Sequence, residues 1–338
     1  LPLARAPVGA YYYRKDKYPM RRGILVVVAV LFFLANSSKA QPLFAPPQNL
    51  GPKINSSGGE ADPFLTADGK KLFFSAYGRP GGYGREDIWF SEWTDTGWTT
   101  ARPLGPQINS GRIEHSPSIS PDGQKLYYID AERDGYNWDI WVSTWDSSLN
   151  DWGVPENVGP PVNTPGTEFS AHISPDGRHL YFSSEIFIPD SLNRCGVFVS
   201  EWNGTAWSEP VKFAQNLGFC DGWQYPSITA DSVWFYFEGG VSDGLSSFVS
   251  HWNGSIWETP VDLRPQIGER SAGTFVIPSG DTLFYYSGET LGGFGGTDIF
   301  LSPRIVLGDL NLDGQLTAAD VVLELNAVFF KRAISGPL

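Results

Sequence analysis

The sequence predicts an all-β fold, and three observations indicate it. The 338 residues contain 38 Gly, 26 Pro and 13 Trp but a single Met, a composition that favours many short strands joined by turns. A strand–turn–strand pattern recurs with a period of about 50 residues, the range of propellers and other arrays. The strand count closes into a ring when the N-terminal segment is added to the last repeat. Together these observations predict a five-bladed β-propeller.

Each repeat is marked by a tight turn between its first two strands. The turn is clearest as Ser120-Pro121-Asp122-Gly123, whose residue types supply the turn chemistry. The equivalent pairs in the other repeats are Asp68-Gly69, Asp176-Gly177, Asp231-Ser232 and Ser279-Gly280. An apolar strand follows the turn, then a third strand typified by Asp139-Ile140-Trp141, and a fourth that begins at a Trp. Four strands per repeat make one propeller blade.

The fifth repeat lacks its fourth strand, and the missing piece stands near the other end of the chain. Residues 44–55 align with residues 98–109, with Leu50-Gly51-Pro52 matching Leu104-Gly105-Pro106. We expect this segment to complete the last blade, so that the ring closes without an open sheet edge. Trimming residues 41–55 should therefore cost far more stability than their length suggests, which a thermal melt would measure.

The first 40 residues lie outside the repeats. A basic pair, Arg21-Arg22, precedes the apolar run 24–34, and Ser38-Lys39-Ala40 supplies small residues for cleavage. This is the pattern of a secretory signal peptide, from Met20 to Ala40, and the run is shorter than the roughly 20 apolar residues of a membrane span. We therefore expect export to the periplasm, cell surface or extracellular space, with the propeller over residues 41–305.

Charge and cysteine content narrow the partners further. The formal net charge is −13, and such a surface repels phosphate backbones and anionic lipid, which argues against nucleic acid. Cations, or neutral ligands such as sugars, fit better. In an exported chain Cys195 and Cys220 could form one disulfide or remain two thiols, because the sequence does not give the Cα distance that a bridge requires.

Three repeats carry a glutamate eight residues before the turn aspartate: Glu60, Glu114 and Glu168. If the first strands line the axial channel, these side chains cluster near one mouth. Five-bladed glycosidases of the arabinanase and invertase type place three carboxylates there as acid, base or nucleophile, and pKa modulator. The other interpretation is that a residue repeated in blade after blade belongs to the fold, since catalysis needs a different role at each position. Repetition favours this structural interpretation.

Residues that depart from the repeat are better indicators of function. Aromatic residues are expected on the loop face, the end of the propeller opposite the tight turns, at Tyr136, Trp138, Phe187, Trp223 and Tyr225. Exposed aromatics beside amides and acids form surfaces on which sugar rings stack. We interpret these five as candidate ligand-binding residues for a glycan or an extracellular protein. The alternative is that the rings pack between blades.

The four histidines show no metal-ligand spacing. Two of them, His115 and His172, lie in first strands and are expected to approach the channel. A hydrogen-bonded structural histidine is the favoured interpretation of both.

The repeated pattern resembles a known family. A Ser-Pro-Asp-Gly turn, an apolar strand and then Asp-Ile-Trp resemble the WD40-like PD40 repeat of TolB-type β-propellers, over nearly all of residues 43–303. The fourth repeat departs most, since it lacks the turn glycine and the third-strand aspartate. The family is functionally diverse and mostly binds or assembles, so the resemblance implies a fold and not a reaction.

The densest chemical motif lies near the C-terminus, in residues 309–320. Oxygen-bearing side chains stand at loop positions one, three, five, nine and twelve, with Gly314 at position six, as in an EF-hand-type calcium loop. By that scheme the Ca²⁺ ligands are Asp309, Asn311, Asp313, Gln315 through its carbonyl, Thr317 through water, and Asp320. Position twelve is Asp rather than the usual Glu, which predicts weaker or differently shaped coordination. An amphipathic helix is expected over residues 321–329.

This loop and helix resemble one repeat of a type I dockerin, over about residues 306–331. Dockerins usually carry two such repeats and bind cohesins on scaffoldins, so the resemblance implies a cohesin-like partner, although one repeat is visible here. The sequence thus favours an exported propeller that binds a ligand and carries a calcium-binding tail for attachment to a polysaccharide-degrading assembly. The competing hypothesis is a glycoside hydrolase that uses the three repeated glutamates. Whether the protein is an enzyme stays open at this point.

Overall fold

The repeated pattern folds into five antiparallel sheets, one for each blade of a propeller. The computed structural model describes residues 42–131, 138–185, 196–217, 224–241, 244–268, 271–288 and 293–305. Helical segments among them are short: a 3₁₀ turn at Gln215–Leu217 and helix α1 at Arg264–Ile267. Neither comes near the length that a membrane span needs, and no other helix in the described ranges does. The predicted all-β, five-bladed architecture is confirmed.

The strands follow one another blade by blade. Two short strands come first, β1 (Leu43–Phe44) and β2 (Gln48–Asn49). Blade 1 contains β3 (Gly59–Leu65), β4 (Lys71–Tyr77), β5 (Glu86–Thr94), β6 (Gly97–Trp98) and β7 (Arg102–Pro103). Blade 2 contains β8 (Glu114–Ile119), β9 (Lys125–Ala131), β10 (Trp138–Asp146), β11 (Asp151–Trp152) and β12 (Glu156–Asn157).

Blades 3 to 5 repeat the same order. Blade 3 contains β13 (Glu168–Ile173), β14 (His179–Ser184), β15 (Gly196–Glu201) and β16 (Val211–Lys212). Blade 4 contains β17 (Ser227–Ile228), β18 (Trp234–Val241), β19 (Gly244–His251) and β20 (Val261–Asp262). Blade 5 contains β21 (Ser271–Val276), β22 (Thr282–Gly288) and β23 (Thr297–Ile305), and its outer strands are β1 and β2.

The N-terminal segment closes the ring as the sequence predicts. Within blade 5, Phe44 pairs with Arg304 and Gln48 pairs with Leu301. The Asn55 side chain then clamps the middle of β23: it donates to the Ile299 carbonyl at 3.0 Å and accepts from the Ile299 amide at 2.8 Å. Ring closure therefore joins residues 244 positions apart in sequence.

The tight turns owe their shape to local hydrogen bonds. In blade 1 the Thr66 hydroxyl donates to Asp68 Oδ1 at 2.6 Å, and the Lys70 amide donates to the same oxygen at 3.0 Å. The residue after the aspartate adopts a left-handed backbone, with φ of 70° at Gly69. Blade 4 has Ser232 there, and its φ is 56°. The turn geometry thus survives the loss of the glycine.

Candidate functional site

The propeller axis is blocked by three aromatic rings, one each from blades 1, 3 and 5. Phe64, His172 and Phe275 occupy equivalent inner-strand positions, and all three are buried. The two phenyl ring centroids lie 4.6 Å apart, and the His172 ring lies 6.0 and 5.9 Å from them. This plug lines two small cavities, of about 40 Å³ on the loop side and about 20 Å³ on the turn side. We call the larger one the axial cavity.

The repeated glutamates hold their own loops. Glu60, Glu114 and Glu168 each have no exposed surface. Each accepts a hydrogen bond from the hydroxyl four residues earlier, which belongs to Ser56 at 2.5 Å, to Ser110, and to Thr164 at 2.9 Å. The Ser56 amide also donates to Glu60 Oε2 at 2.9 Å, whereas Glu114 Oε2 and Glu168 Oε2 have no hydrogen-bond partner among the described residues. Each glutamate therefore braces the loop that leads into its inner strand, and we call these three glutamates the braces.

Further contacts differ slightly among the braces. Glu60 forms an ion pair of 3.3 Å with Arg79, and Glu168 accepts a second hydroxyl from Ser184 at 3.0 Å. Burial raises the pKa of Glu60, that of Glu114 to about 7 and that of Glu168 to about 8, although the hydrogen bonds oppose the rise. Equivalent positions with equivalent partners do not display the separate roles of an acid, a base and a modulator.

A second group of polar residues lies on the loop side of the plug and does not repeat. We call it the mouth cluster: Asp62, Glu86, His115, Glu238 and Tyr286. Asp62 Oδ2 accepts hydrogen bonds from the Ser75 hydroxyl at 2.9 Å and the Ser116 amide at 3.2 Å. His115 Nδ1 lies 3.5 Å from the same oxygen. One oxygen of Asp62 is thus held from two blades, while Oδ1 has no hydrogen-bond partner among the described residues.

An unusual backbone positions this cluster. Asp62, Ser116, Tyr225 and Gly273 are equivalent inner-strand residues, and their φ angles are 50°, 53°, 31° and 55°. In blades 1, 2 and 5 the inner strand is irregular at this point, as in a β-bulge. A left-handed backbone costs a non-glycine residue roughly 1–2 kcal/mol, and such strain concentrates where a bulge re-aims side chains. The strained positions mark the loop side of the axis.

Glu238 and Tyr286 complete the mouth cluster from blades 4 and 5. Glu238 Oε2 accepts the Gly273 amide at 3.0 Å, while Oε1 has no partner in the described part of the chain. Burial raises the pKa of Glu238 to about 8, and the charge of Asp62 adds to the rise. A side chain at Gly273 would overlap the Tyr286 ring and would come 3.5 Å from Asp62 Oδ1. The glycine therefore allows the close approach of these groups.

Glu86 and His115 add two titratable groups with opposed charges. Burial raises the pKa of Glu86 to about 7 against the lowering effect of His115. Burial disfavours charged His115, but the hydrogen bond that its ring donates to Asp62 and the Glu86 charge outweigh the effect of burial, so the His115 pKa is raised. The mouth cluster is therefore a group of coupled acids with one histidine, and its protonation is sensitive to a charged ligand.

Two of the predicted ligand-binding aromatics lie in the described ranges, and both are packed. The Trp138 ring is half-buried and contacts the rings of His115 at 4.9 Å and Phe169 at 6.0 Å, each edge to face. Tyr225 is buried and shares a hydrogen bond with Tyr286. Both rings therefore pack against members of the mouth cluster, His115 and Tyr286.

Other predicted residues lie outside the described residues. They are Tyr136, Phe187, Trp223, Cys195, Cys220, the signal peptide from Met20 to Ala40, and the calcium ligands Asp309, Asn311, Asp313, Gln315, Thr317 and Asp320. Within the described ranges, no three His, Cys, Asp or Glu side chains are grouped so as to hold a metal ion.

Exposed aromatics occur on the loop face where the sequence reasoning did not look. Tyr77 is 55% exposed, Tyr83 50% and Phe294 49%. Tyr77 ends β4, and the other two precede the third strands of blades 1 and 5, with their amides bonded to Asp87 and Asp298. Tyr83 and Phe294 stand in glycine-rich stretches just before the third-strand Asp that both blades share, so neither ring stands out as a departure from the repeat.

Several solved structures are similar to this chain in fold. TolB from Acinetobacter baumannii is 14% identical to this chain. The alignment spans 86% of this chain and 71% of TolB, with a TM-score of 0.45. A thermostable family-43 glycoside hydrolase is 17% identical, with coverages of 76% and 92% and a TM-score of 0.49. An α-L-arabinofuranosidase from Podospora anserina in complex with cellotriose is 13% identical, with coverages of 79% and 95% and a TM-score of 0.47.

Comparison with protein-family models and with curated proteins gives no match. At these identities the activities of the solved structures are not evidence for the activity of this chain. The propeller assignment depends on the strand pairing described above. The five-bladed architecture is confirmed, while membership of the PD40 family stays a prediction.

Proposed function

We propose that this chain is an exported β-propeller binding module that engages a glycan or protein ligand on its loop face. The observation that carries the proposal is that the buried acids fall into two groups with different contacts. The repeated glutamates accept hydrogen bonds from their own loops, and aromatic rings block the axis. The polar groups that do not repeat gather on one side of that plug, beneath a face that also carries half-exposed aromatic rings. Sites of this composition bind ligands through stacking and hydrogen bonds.

A glycoside hydrolase is the second candidate, and one observation favours it. Asp62 and Glu238 approach the same glycine from different blades, each with one anchored and one unpaired oxygen. The raised pKa of Glu238, about 8, would suit a general acid. Against this role, Glu238 has no exposed surface and Asp62 only 7%. Catalysis by Glu60, Glu114 and Glu168, the competing hypothesis from the sequence, has less support than this pair, because each of the three makes the same contact to its own loop.

One experiment separates the two functions. The purified chain is applied to an immobilised glycan array and is also incubated with a panel of polysaccharides, with reducing-end release as the readout. Binding without release is the expected outcome. Release that disappears in Glu238→Gln but persists in Glu168→Gln would replace the binding proposal with the hydrolase. The Tyr83→Ala and Phe294→Ala variants should weaken glycan binding if a sugar stacks on those rings.

The C-terminal tail belongs to the proposal as an attachment device. The oxygen pattern over residues 309–320 supports Ca²⁺ binding through the ligands named above, and extracellular calcium is high enough to fill a modest site. A calcium titration of the full chain, with Asp309→Ala as the variant, should show binding that the variant loses. Identical thermal melts with calcium and with a chelator would contradict it. Binding to a cohesin domain is the corresponding test of attachment.

A further inference from the structure

We propose that the axial cavity receives the ammonium group of a lysine side chain, presented by a protein ligand that docks on the loop face. The inference rests on the proposed function, since it presupposes a ligand at that face, and it narrows the choice between glycan and protein. It concerns three polar groups that the fold leaves without partners around one small space.

The unpaired atoms come from three different blades. Asp62 Oδ1, His172 Nε2 and Thr274 Oγ1 are buried and have no hydrogen-bond partner in the described part of the chain. Their residues are 7%, 6% and 3% exposed, and all three line the axial cavity. Native structures rarely leave one buried polar atom unpaired, and each exception calls for a water, an ion or a functional role. Three such residues around a single cavity point to an occupant.

The size of the cavity limits that occupant. The cavity volume of about 40 Å³ exceeds the roughly 10–15 Å³ that a cavity needs to hold one water molecule, and it is far below the roughly 300–1,000 Å³ of pockets that enclose small-molecule ligands. A pyranose ring does not fit in so small a space, and an amino sugar carries its nitrogen directly on that ring. A lysine presents its ammonium at the end of a flexible four-carbon stem, which can reach a narrow pocket that a ring cannot enter.

The chemistry of the lining matches an ammonium group. Lysine has three N–H donors and no acceptor, and the cavity offers a carboxylate oxygen, a hydroxyl oxygen and an imidazole. Burial lowers the pKa of His172 to about 3, so that its ring is neutral and has one nitrogen able to accept. The rings of Phe64, Phe275 and Tyr225 also line the space and would stabilise a cation that has lost its water.

A metal ion suits the same lining less well. Calcium takes six to eight oxygen ligands, and the unpaired side-chain oxygens of the cavity are Asp62 Oδ1 and Thr274 Oγ1. The Asp62 carboxylate also favours a cation over a neutral group, and its charge acts at short range, since it raises the pKa of both Glu86 and Glu238.

The probe is Nα-acetyl-L-lysine N-methylamide, titrated into the full chain and followed by ligand-observed NMR. The norleucine analogue, which has the same chain length without the ammonium, is the matched control, and glucosamine is the arm that tests an amino sugar. We expect the lysine derivative to bind at least about tenfold more tightly than either, since each tenfold corresponds to about 1.4 kcal/mol of binding free energy.

Two variants test the assignment to the cavity. Asp62→Asn keeps an acceptor for Ser75 and Ser116 but places an amide where Oδ1 stands, and it should weaken binding by about tenfold or more. Thr274→Val removes the hydroxyl without changing the shape, and it should weaken binding by about two- to fivefold. Asp146→Asn removes the same charge from an exposed hairpin and should leave binding unchanged. If Asp62→Asn fails to fold, Thr274→Val still decides.

The outcomes separate this inference from the proposed function. Equal binding of the lysine and norleucine derivatives, or full binding by both cavity variants, would overturn the ammonium site. Preference for glucosamine over the lysine derivative would also overturn it. A neutral glycan that binds the loop face with unchanged affinity in Asp62→Asn would leave the proposed binding module intact and remove the inference alone.

Discussion

The braces and the mouth cluster can be compared directly, because both contain a buried acid in the inner strand of blade 1. Glu60 and Asp62 stand two residues apart, yet Glu60 takes its hydroxyl partner from four residues earlier and Asp62 takes its partners from another strand and another blade. The first arrangement recurs in blades 2 and 3, and the second occurs once. Repeated acids therefore serve the fold, while an acid that departs from the repeat stands where a ligand could use it.

The two regions also differ in backbone strain. Each brace accepts a hydroxyl within one short loop, and Glu114 and Glu168 each keep one oxygen without a partner among the described residues, as Asp62 and Glu238 do. Left-handed backbone, by contrast, occurs in the mouth cluster at Asp62 and at none of the braces. Such strain reduces stability and persists where function requires it. Stability measurements on the two regions should therefore diverge.

The largest effect on the free energy of unfolding is expected at Gly273, where an added methyl group would overlap the Tyr286 ring. Gly273→Ala would drive a methyl group into the Tyr286 ring at a backbone φ of 55°, and we expect a loss of about 3 kcal/mol or more in the free energy of unfolding. Gly254→Ala is the matched control, since its φ is 96° and no atom lies within 4 Å of the new methyl group. Its loss should be about 1–2 kcal/mol. Equal losses in urea unfolding would mean that the mouth is not tightly packed.

Removal of a brace should have the next largest effect. Glu168→Ala leaves the Thr164 and Ser184 hydroxyls without their acceptor, and we expect a loss of about 2–3 kcal/mol in urea unfolding at pH 6. Glu168→Gln keeps an acceptor in the same place and should lose less than about 1 kcal/mol. A large and equal loss in both variants would contradict the bracing role, because the glutamine keeps the oxygen that accepts the two hydroxyls.

The pH dependence of stability should be somewhat smaller. The ordinary pKa of 4.5 applies to Glu168 in the unfolded chain, whereas the folded value is about 8. Between these values the folded chain retains a proton that the unfolded chain has released, so stability falls as pH rises through this window. Glu168→Gln should remove about 2 kcal/mol of the decline between pH 6 and pH 8. Parallel declines in the wild type and the variant would contradict the raised pKa.

The smallest effect on the free energy of unfolding is expected for Glu238→Gln in the mouth cluster. At pH 6 Glu238 carries a proton because its pKa is about 8, so Glu238→Gln replaces one neutral group by another and keeps an acceptor for the Gly273 amide. The free energy of unfolding should change by no more than about 0.5 kcal/mol. A loss as large as that of Glu168→Ala would erase the distinction between the two regions.

A local signal for the braces was present in the sequence. Ser56, Ser110 and Thr164 each stand four residues before their glutamate, a spacing that repeats with the blades. This spacing favours the structural interpretation by itself, because hydroxyl and carboxyl groups that recur together recur as a contact. The hypothesis of channel carboxylates in glycoside hydrolysis came from the expected position of the inner strands, which does not reveal where each oxygen points.

The sequence alone determined the strands, the turns, the number of blades and the closing segment, because these depend on contacts between near neighbours and on their repetition. The bond from Thr66 to Asp68 spans two residues, and its counterparts return in every blade but the fifth. Tertiary structure alone decided the plug of Phe64, His172 and Phe275 and the contacts of Asp62 with Ser116 and Glu238 with Gly273, which span 54 and 35 residues. Those contacts exist only after the ring has closed, since closure is what brings inner strands from different blades together around one axis.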